Sequence, residues 1–188
     1  MTHVLLGLGA NLGDRAANLQ HALDALAEGG VSMTAVSSVY ETPPMPAGQP
    51  PYLNAVVAAE TSLEPEALLA LLKSIEARAG RRPSRRWGPR PLDIDILFYG
   101  VSRIETPQLT VPHIGITERA FVLVPLAEVH GGSLAVLGVS ALELLSRLGE
   151  SAQRTTFALR QPRDERVGIL GTRDPFTPRD DRRTSRRP

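Results

Sequence analysis

The chain of 188 residues contains no cysteine. That excludes a disulfide framework, a thiolate zinc site and a thiol nucleophile together. Lysine is almost as scarce: Lys73 is the only one, and it falls in a helical pattern with no glycine loop before it. Neither a Schiff-base lysine nor a P-loop lysine is expected. No apolar run approaches the ~20 residues that span a bilayer. Nor does the N-terminus show a basic region, apolar block and small-residue cleavage site in the order of a secretory signal. A cytoplasmic protein that does not engage a membrane is the expectation. The hydrophobic fraction of 42% and charged fraction of 22% are ordinary for a globular protein. The length suits one domain with a sizeable core and a tail.

A net charge of +1 conceals an asymmetry. Residues 160 to 188 hold nine arginines against five acidic residues, a net of +4, whereas the remainder holds twelve basic against fifteen acidic residues, a net of −3. Pro, Arg and Asp dominate the segment from Arg160 onward and apolar residues are sparse, so 160–188 is expected to be a disordered basic tail. A net acidic body argues against nucleic acid as a partner.

Punctuation along the chain gives its organisation. His3 to Gly9 reads as a short strand running into a glycine-rich turn. Asp14 caps a helix with Leu19, Ala22, Leu23 and Leu26 on its apolar side, ended by Gly29-Gly30. Val31 to Tyr40 reads as a second strand, Pro43 to Pro51 as a loop, and Tyr52 to Glu60 as a third strand. A helix over Pro65 to Ala79, capped by Ser62, precedes an arginine-rich loop from Gly80 to Pro91 and a strand from Asp93. The order β-α-β-β-α-β is that of a ferredoxin-like split βαβ sandwich, an α+β fold with two helices on one face of an antiparallel sheet. Extra C-terminal helices follow over Glu118 to Glu128, interrupted by Pro125, and over Ser140 to Leu148, capped by Ser140. Thr155 to Leu159 can add an edge strand. No internal repeat is present, and with no uncovered apolar helix face a monomer is expected.

Chemistry concentrates in Arg86-Trp87-Gly88-Pro89-Arg90-Pro91-Leu92-Asp93-Ile94-Asp95-Ile96-Leu97. On a strand, Asp93 and Asp95 project from the same face while Ile94 and Ile96 enter the core. Two like charges side by side repel unless a cation neutralises them, and hard oxygen ligands suit Mg²⁺ carrying substrate phosphates. Arg86 and Arg90 add planar donors matched to phosphate oxygens. The bland alternative is a solvated strand face with surface ion pairs, which contribute little. The arginine-rich loop beside both acids favours metal-assisted phosphoryl or pyrophosphoryl transfer.

Other residues have a plain and a functional reading. Gly7-Leu8-Gly9-Ala10-Asn11-Leu12-Gly13 imitates a dinucleotide fingerprint, but its third glycine comes one residue late and Asp24 falls inside a helix, so a tight strand-to-helix turn is expected. Trp87 is either a core anchor or a lid over a ring. His113, in a loop after Pro112, is structural or, as His⁺, a phosphate contact. Tyr52 and Phe121 alone would be core residues. Asn54, two positions after Tyr52 on the same strand face, sets a donor and an acceptor beside that ring, which suits a flat heterocycle with amide-like edges.

These residues resemble one family, the 6-hydroxymethyl-7,8-dihydropterin pyrophosphokinases of folate biosynthesis. The family signature of a basic residue, any residue, Gly-Pro-Arg, two residues, Asp-x-Asp and two aliphatics is matched throughout Arg86 to Leu97. Gly9 to Gly13, Glu41 to Met45, Tyr52-Leu53-Asn54, Leu109 to His113 and Arg119-Ala120-Phe121 follow in family order. The resemblance spans about residues 3 to 159, making 1–159 the expected pyrophosphokinase domain. Gln108 and Ile114 depart from it, standing where a basic and an aromatic residue are common.

The resemblance implies that ATP gives its β,γ-pyrophosphate to the pterin hydroxymethyl oxygen and releases AMP. It implies Asp93 and Asp95 as ligands of two Mg²⁺ ions, with Asp93 also near the pterin, and Arg81, Arg90 and His113 as phosphate contacts. ATP would further meet Glu76, Trp87, Ile96, Thr110, His113 and Arg119. Tyr52 and Phe121 would sandwich the pterin, whose edge Thr42, Pro43, Met45 and Asn54 would read. Trp87 and the loop from Gly80 to Pro91 would form a lid, and no residue stands out as a general base. A ferredoxin-like module that binds RNA or a small molecule without catalysis is the alternative, as is a Mg²⁺-dependent kinase that releases ADP.

Overall fold

A computed structural model describes residues 1–44, 47–81 and 88–148, and the backbone of 153–154. Its elements are β1 (Thr2–Ala10), α1 (Arg15–Glu28), β2 (Val31–Val36), β3 (Tyr40–Thr42), β4 (Tyr52–Thr61), α2 (Pro65–Arg78) and β5 (Asp93–Tyr99). Beyond β5 come β6 (Ile104–Glu105), β7 (Thr110–Val111), α3 (Ala120–Val129), β8 (Ser133–Leu134), β9 (Val139–Ser140), α4 (Ala141–Leu148) and β10 (Gln153–Arg154). The main sheet runs β10-β3-β4-β1-β5, with β2 also paired to β4, and its ladders are antiparallel.

The helices occupy both faces of this sheet. On one, Val4, Leu6, Leu8, Val57, Ile94 and Ile96 pack with Leu19, Leu23 and Leu26 of α1 and Leu68, Leu72 and Ile75 of α2. On the other, Leu5, Val56, Ala58, Leu97 and Phe98 pack with Leu123 and Leu126 of α3 and Ala141 and Leu144 of α4. The C-terminal helices therefore build a third layer. That is why β4 is buried from Leu53 to Ala59 without alternation. Burying each such leucine stabilises the fold by roughly 1.5–3 kcal/mol.

Local chemistry decides where elements start and stop. Asp14 caps α1 by accepting from Ala17 N–H at 3.0 Å, and Ser140 and Glu143 form a reciprocal capping box at α4. The expected Ser62 cap is not used. Glu64 is the N-cap of α2 without a side-chain bond, and Pro65 starts the helix with its φ already set. Pro125 does not interrupt α3, which runs through it with the proline buried alongside Leu123 and Leu126 at the loss of one backbone bond. The strand expected from Val31 to Tyr40 is divided. Val36 pairs with Val57 and Tyr40 with Asn54, so three residues stand opposite two. Ser37 fills the gap by donating its N–H to Val56 O and accepting from Val56 N–H through Oγ. The edge strand observed is β10; Thr155 to Leu159 and the 160–188 tail lie outside the described residues.

Leu123 is fully buried where α3 meets the sheet. Leu123→Ala should lower unfolding free energy by about 2–5 kcal/mol, in one transition shared by near-UV and far-UV signals during urea titration.

Candidate active site

Sheet register gathers the chemistry. Asp93 pairs with Gly9, Gly9 with Asn54 and Asn54 with Tyr40, while Asp95 pairs with Gly7 and Thr42 with Tyr52. Directly paired residues share a face, so all of these side chains lie on the α3 side of the sheet. Ile94 and Ile96 point the other way into the core, as the alternation predicts.

Gly7 and Gly9 correct the expectation of a glycine turn, because both lie within β1. A Cβ at Gly7 would meet the Leu97 side chain at 3.2 Å, and one at Gly9 would meet Asn54 Oδ1 at 3.4 Å. Gly7 makes room for a core leucine; Gly9 leaves a bare floor between Asp93 and Asn54. A glycine inside a strand is the sign of such close approach, and it was there to be read.

The two carboxylates differ. Asp93 accepts from Arg81 at 2.5 Å and from Arg90 at 2.7 Å. Asp95 has His113 Nε2 at 3.9 Å and keeps 40% of its side chain exposed. Crowding by protein atoms, then the Asp93 charge, push the Asp95 carboxyl up, against the pull of His113, Lys73 and Arg119. Arg81 also reaches Glu76, at 2.5 Å. Burial lowers its own proton affinity, yet Asp93 and Glu76 outweigh that and raise it.

Glu76, on α2 and only 2% exposed, accepts from the backbone of Ile94 at 2.8 Å and from Lys73 at 3.0 Å. It thus grips β5 between the two aspartates. Burial raises its carboxyl; the Ile94 bond, Lys73 and Arg81 oppose the rise. Beside Asp95 opens a cleft of about 240 Å³, lined by Lys73, Ile96, Gln108, Thr110, His113 and Ile114 among others. Three residues expected to meet the nucleotide, Ile96, Thr110 and His113, come together there. Lys73, set aside in the sequence, is brought to the same wall by the helical position three residues before Glu76.

On the Gly9 side, Asn54 Nδ2 donates to Thr42 Oγ1 at 2.8 Å, and Tyr52 donates its hydroxyl to Gly88 O at 3.4 Å. Burial is the main cause that raises the Tyr52 phenol. Phe121 stands in the first turn of α3 with the Arg119 guanidinium 5.9 Å from its ring centroid. Pro43 is exposed just after β3. Met45, Arg86 and Trp87 lie outside the described residues.

Sequence reasoning missed Asn11, which is 1% exposed. Its carboxamide donates to Gln49 Oε1 and Pro50 O and accepts from Arg90 N–H at 2.7 Å. One side chain therefore ties the loop after β3 to the loop before β5. A buried asparagine at a strand end signals such a task, since each of its polar atoms needs a partner.

The sequence profile of the 7,8-dihydro-6-hydroxymethylpterin-pyrophosphokinase family matches residues 5–131, which include every part of this site. The chain belongs to that family. Among pyrophosphokinases of this kind, it is 46% identical to one from Methylorubrum extorquens over 153 residues, covering 80% of this chain and 96% of that one. It is 47% identical to one from Bacillus subtilis over 126 residues, covering 66% and 75%. The mitochondrial folate synthesis bifunctional protein of Arabidopsis thaliana is 46% identical over 132 residues. There the match covers 70% of this chain but only 24% of the plant protein. Plasmodium falciparum HPPK-DHPS, solved with pteroate, superposes with a TM-score of 0.64 at 16% identity, over 81% of this chain and 45% of that one. Among the described residues, this member of the family pairs an antiparallel sheet with four α-helices.

Glu76 offers a test of the charge network. A carboxyl raised on folding favours the folded state fully below its unfolded value of 4.5, and that contribution is lost as pH rises through the raised value. Relative to Glu76→Gln, wild-type stability should therefore fall as pH rises above 4.5 in urea titrations. A difference that stays flat or grows would contradict the assignment.

Proposed function

We propose that this chain transfers the β,γ-pyrophosphate of ATP to the hydroxymethyl oxygen of 6-hydroxymethyl-7,8-dihydropterin and releases AMP, a step of folate biosynthesis. One observation carries the reading: the Asp93–Asp95 pair stands between a cleft and a glycine-floored trough, with Arg81 and Arg90 on Asp93. Family membership supplies the reaction. The cleft is the nucleotide side, with Ile96, Thr110, His113 and Arg119 toward ATP and Glu76 acting through Lys73. The trough is the pterin side. Tyr52 and Phe121 flank the ring, and Asn54, Thr42, Pro43 and Met45 read its edge.

The donor set fits Mg²⁺. Two hard carboxylates share a face, and the charge of one raises the proton affinity of the other. Phosphate and water oxygens would complete the coordination of two ions held by Asp93 and Asp95. Such ions would supply charge neutralisation of the triphosphate and alignment of the reacting oxygens. The guanidiniums of Arg81 and Arg90 then donate to phosphate oxygens, and His113 beside Asp95 adds a further donor. The pterin oxygen attacks the β-phosphorus in line, the bond from that phosphorus to the AMP oxygen breaks with AMP as the leaving group, and the hydroxyl proton is released to water beside Asp95.

The ferredoxin-like reading of the fold is supported by the strand order β5-β1-β4-β2 and by α1 and α2 sharing one face. We assign residues 1–159 to this domain, 160–188 to a separate basic tail, and a monomeric cytoplasmic enzyme to the whole. Among the described residues no helix is long and apolar enough to cross a membrane.

Incubation with ATP, Mg²⁺ and the pterin, followed by nucleotide analysis, should yield AMP only when pterin is present. ADP would indicate an ordinary kinase, and folded protein without turnover a binding module. Asp95→Ala should lower kcat roughly 10²–10³-fold or more with an unchanged circular dichroism spectrum. Gly9→Ala, which puts a methyl on the trough floor, should raise the pterin KM about tenfold while the ATP KM holds.

A further inference from the structure

The Glu128 carboxylate of α3 holds two groups of another segment. One oxygen accepts from the Ser38 backbone N–H at 2.6 Å and the other from the Tyr40 hydroxyl. Ser38 lies in the bulge between β2 and β3, and Tyr40 opens β3. The bond therefore crosses from the third layer to the strand that carries Thr42. Nothing in the assignments above uses Glu128.

Its place in the register gives it a task. Tyr40 is the direct cross-strand partner of Asn54 and shares its face, and Asn54 in turn donates to Thr42 Oγ1. Glu128 also follows Phe121 by seven residues. Two turns of an α-helix return a side chain to nearly the same side, ~10 Å further along the axis. Phe121 and Glu128 thus leave α3 toward the same side, one end bearing an aromatic wall and the other gripping the strand of the edge-reading groups.

We propose that Glu128 is a positioning residue for the pterin: it fixes α3 against β3, and so sets Phe121 relative to Asn54 and Thr42. The inference rests on the assignment of those three residues to the pterin. A flat ring between two walls tolerates little error in their spacing, since a misplacement of about 1 Å can cost on the order of 10²-fold. The nucleotide cleft is lined by α2, β5 and the loop around His113, which Glu128 does not touch.

The full-length enzyme would be assayed for kcat, both KM values and thermal unfolding. Glu128→Ala should raise the pterin KM about tenfold or more, with the ATP KM within about twofold of wild type. Glu128→Gln should restore most of the loss. Its amide oxygen still accepts from Ser38 N–H, and its NH₂ can donate to the Tyr40 oxygen. Tyr40→Phe removes one of the two bonds and should fall between, and it carries the test together with Glu128→Gln if the alanine variant does not fold. Equal rises in both KM values, or a lowered Tm with the pterin KM unmoved, would overturn the proposal and leave Glu128 a stabilising contact. Asn54→Ala is the benchmark. If it weakens pterin selectively and Glu128→Ala does not, this inference alone fails. If Asn54→Ala leaves the pterin KM unchanged, the pterin assignment fails and takes the inference with it.

Discussion

Two aspartates on one face of one strand, with a single residue between them, are the constraint around which this molecule is organised. The charge of Asp93 raises the cost of ionising Asp95, and a bare pair of this kind would burden the fold. Arg81 and Arg90 answer the charge of Asp93, and both guanidiniums need to be held. Glu76 holds the first, from beneath the strand, while bonding the backbone between the aspartates. The second donates from Nε to Gly88 O, and the main-chain N–H of Arg90 donates to Asn11 Oδ1. The last turn of α2, the end of β1 and the loop before β5 thus converge on two carboxyl groups.

The same convergence explains why the two loops flanking the site cannot be considered apart. Asn11 bonds Gln49 and Pro50 on one side and Arg90 on the other, with almost no exposure of its own. A buried polar group with all partners satisfied resists displacement, because losing one partner leaves an uncompensated atom. Arg15 reinforces the arrangement by donating to Glu41 and to Pro51 O. Together these bonds tie Gln49, Pro50 and Pro51, the proline-rich approach to β4, to the end of β1 and the start of α1.

Strand alternation made Asp93 and Asp95 legible, with Ile94 and Ile96 opposite them, and the i, i+2 rule made Tyr52 and Asn54 legible as a pair. The element order was legible because helix and strand periods differ and glycine and proline mark the boundaries. What escaped the sequence depended on partners far along the chain. Gly7 and Gly9 look like a turn until β5 and β4 are laid beside β1. The break after Val36 arises from a serine side chain taking a backbone rung, and Glu128 gains meaning only when α3 is seated. Lys73 reads as an exposed helical cation because nothing nearby in sequence reveals the cleft it borders.

The irregularity in β5 has a wider consequence. Pairing with β1 jumps from Ile96 to Phe98, leaving Leu97 as an added residue. Leu97 and Phe98 consequently both face the third layer, and Tyr99 returns to the first face, where its hydroxyl donates to Leu63 O. One inserted residue gives the two halves of the strand independent phase. The half with Asp93 and Asp95 turns Ile94 and Ile96 to the first core, and the half beyond the bulge turns Leu97 and Phe98 to the second. That bulge lets a single strand serve both hydrophobic layers while its two carboxylates stay together on one face.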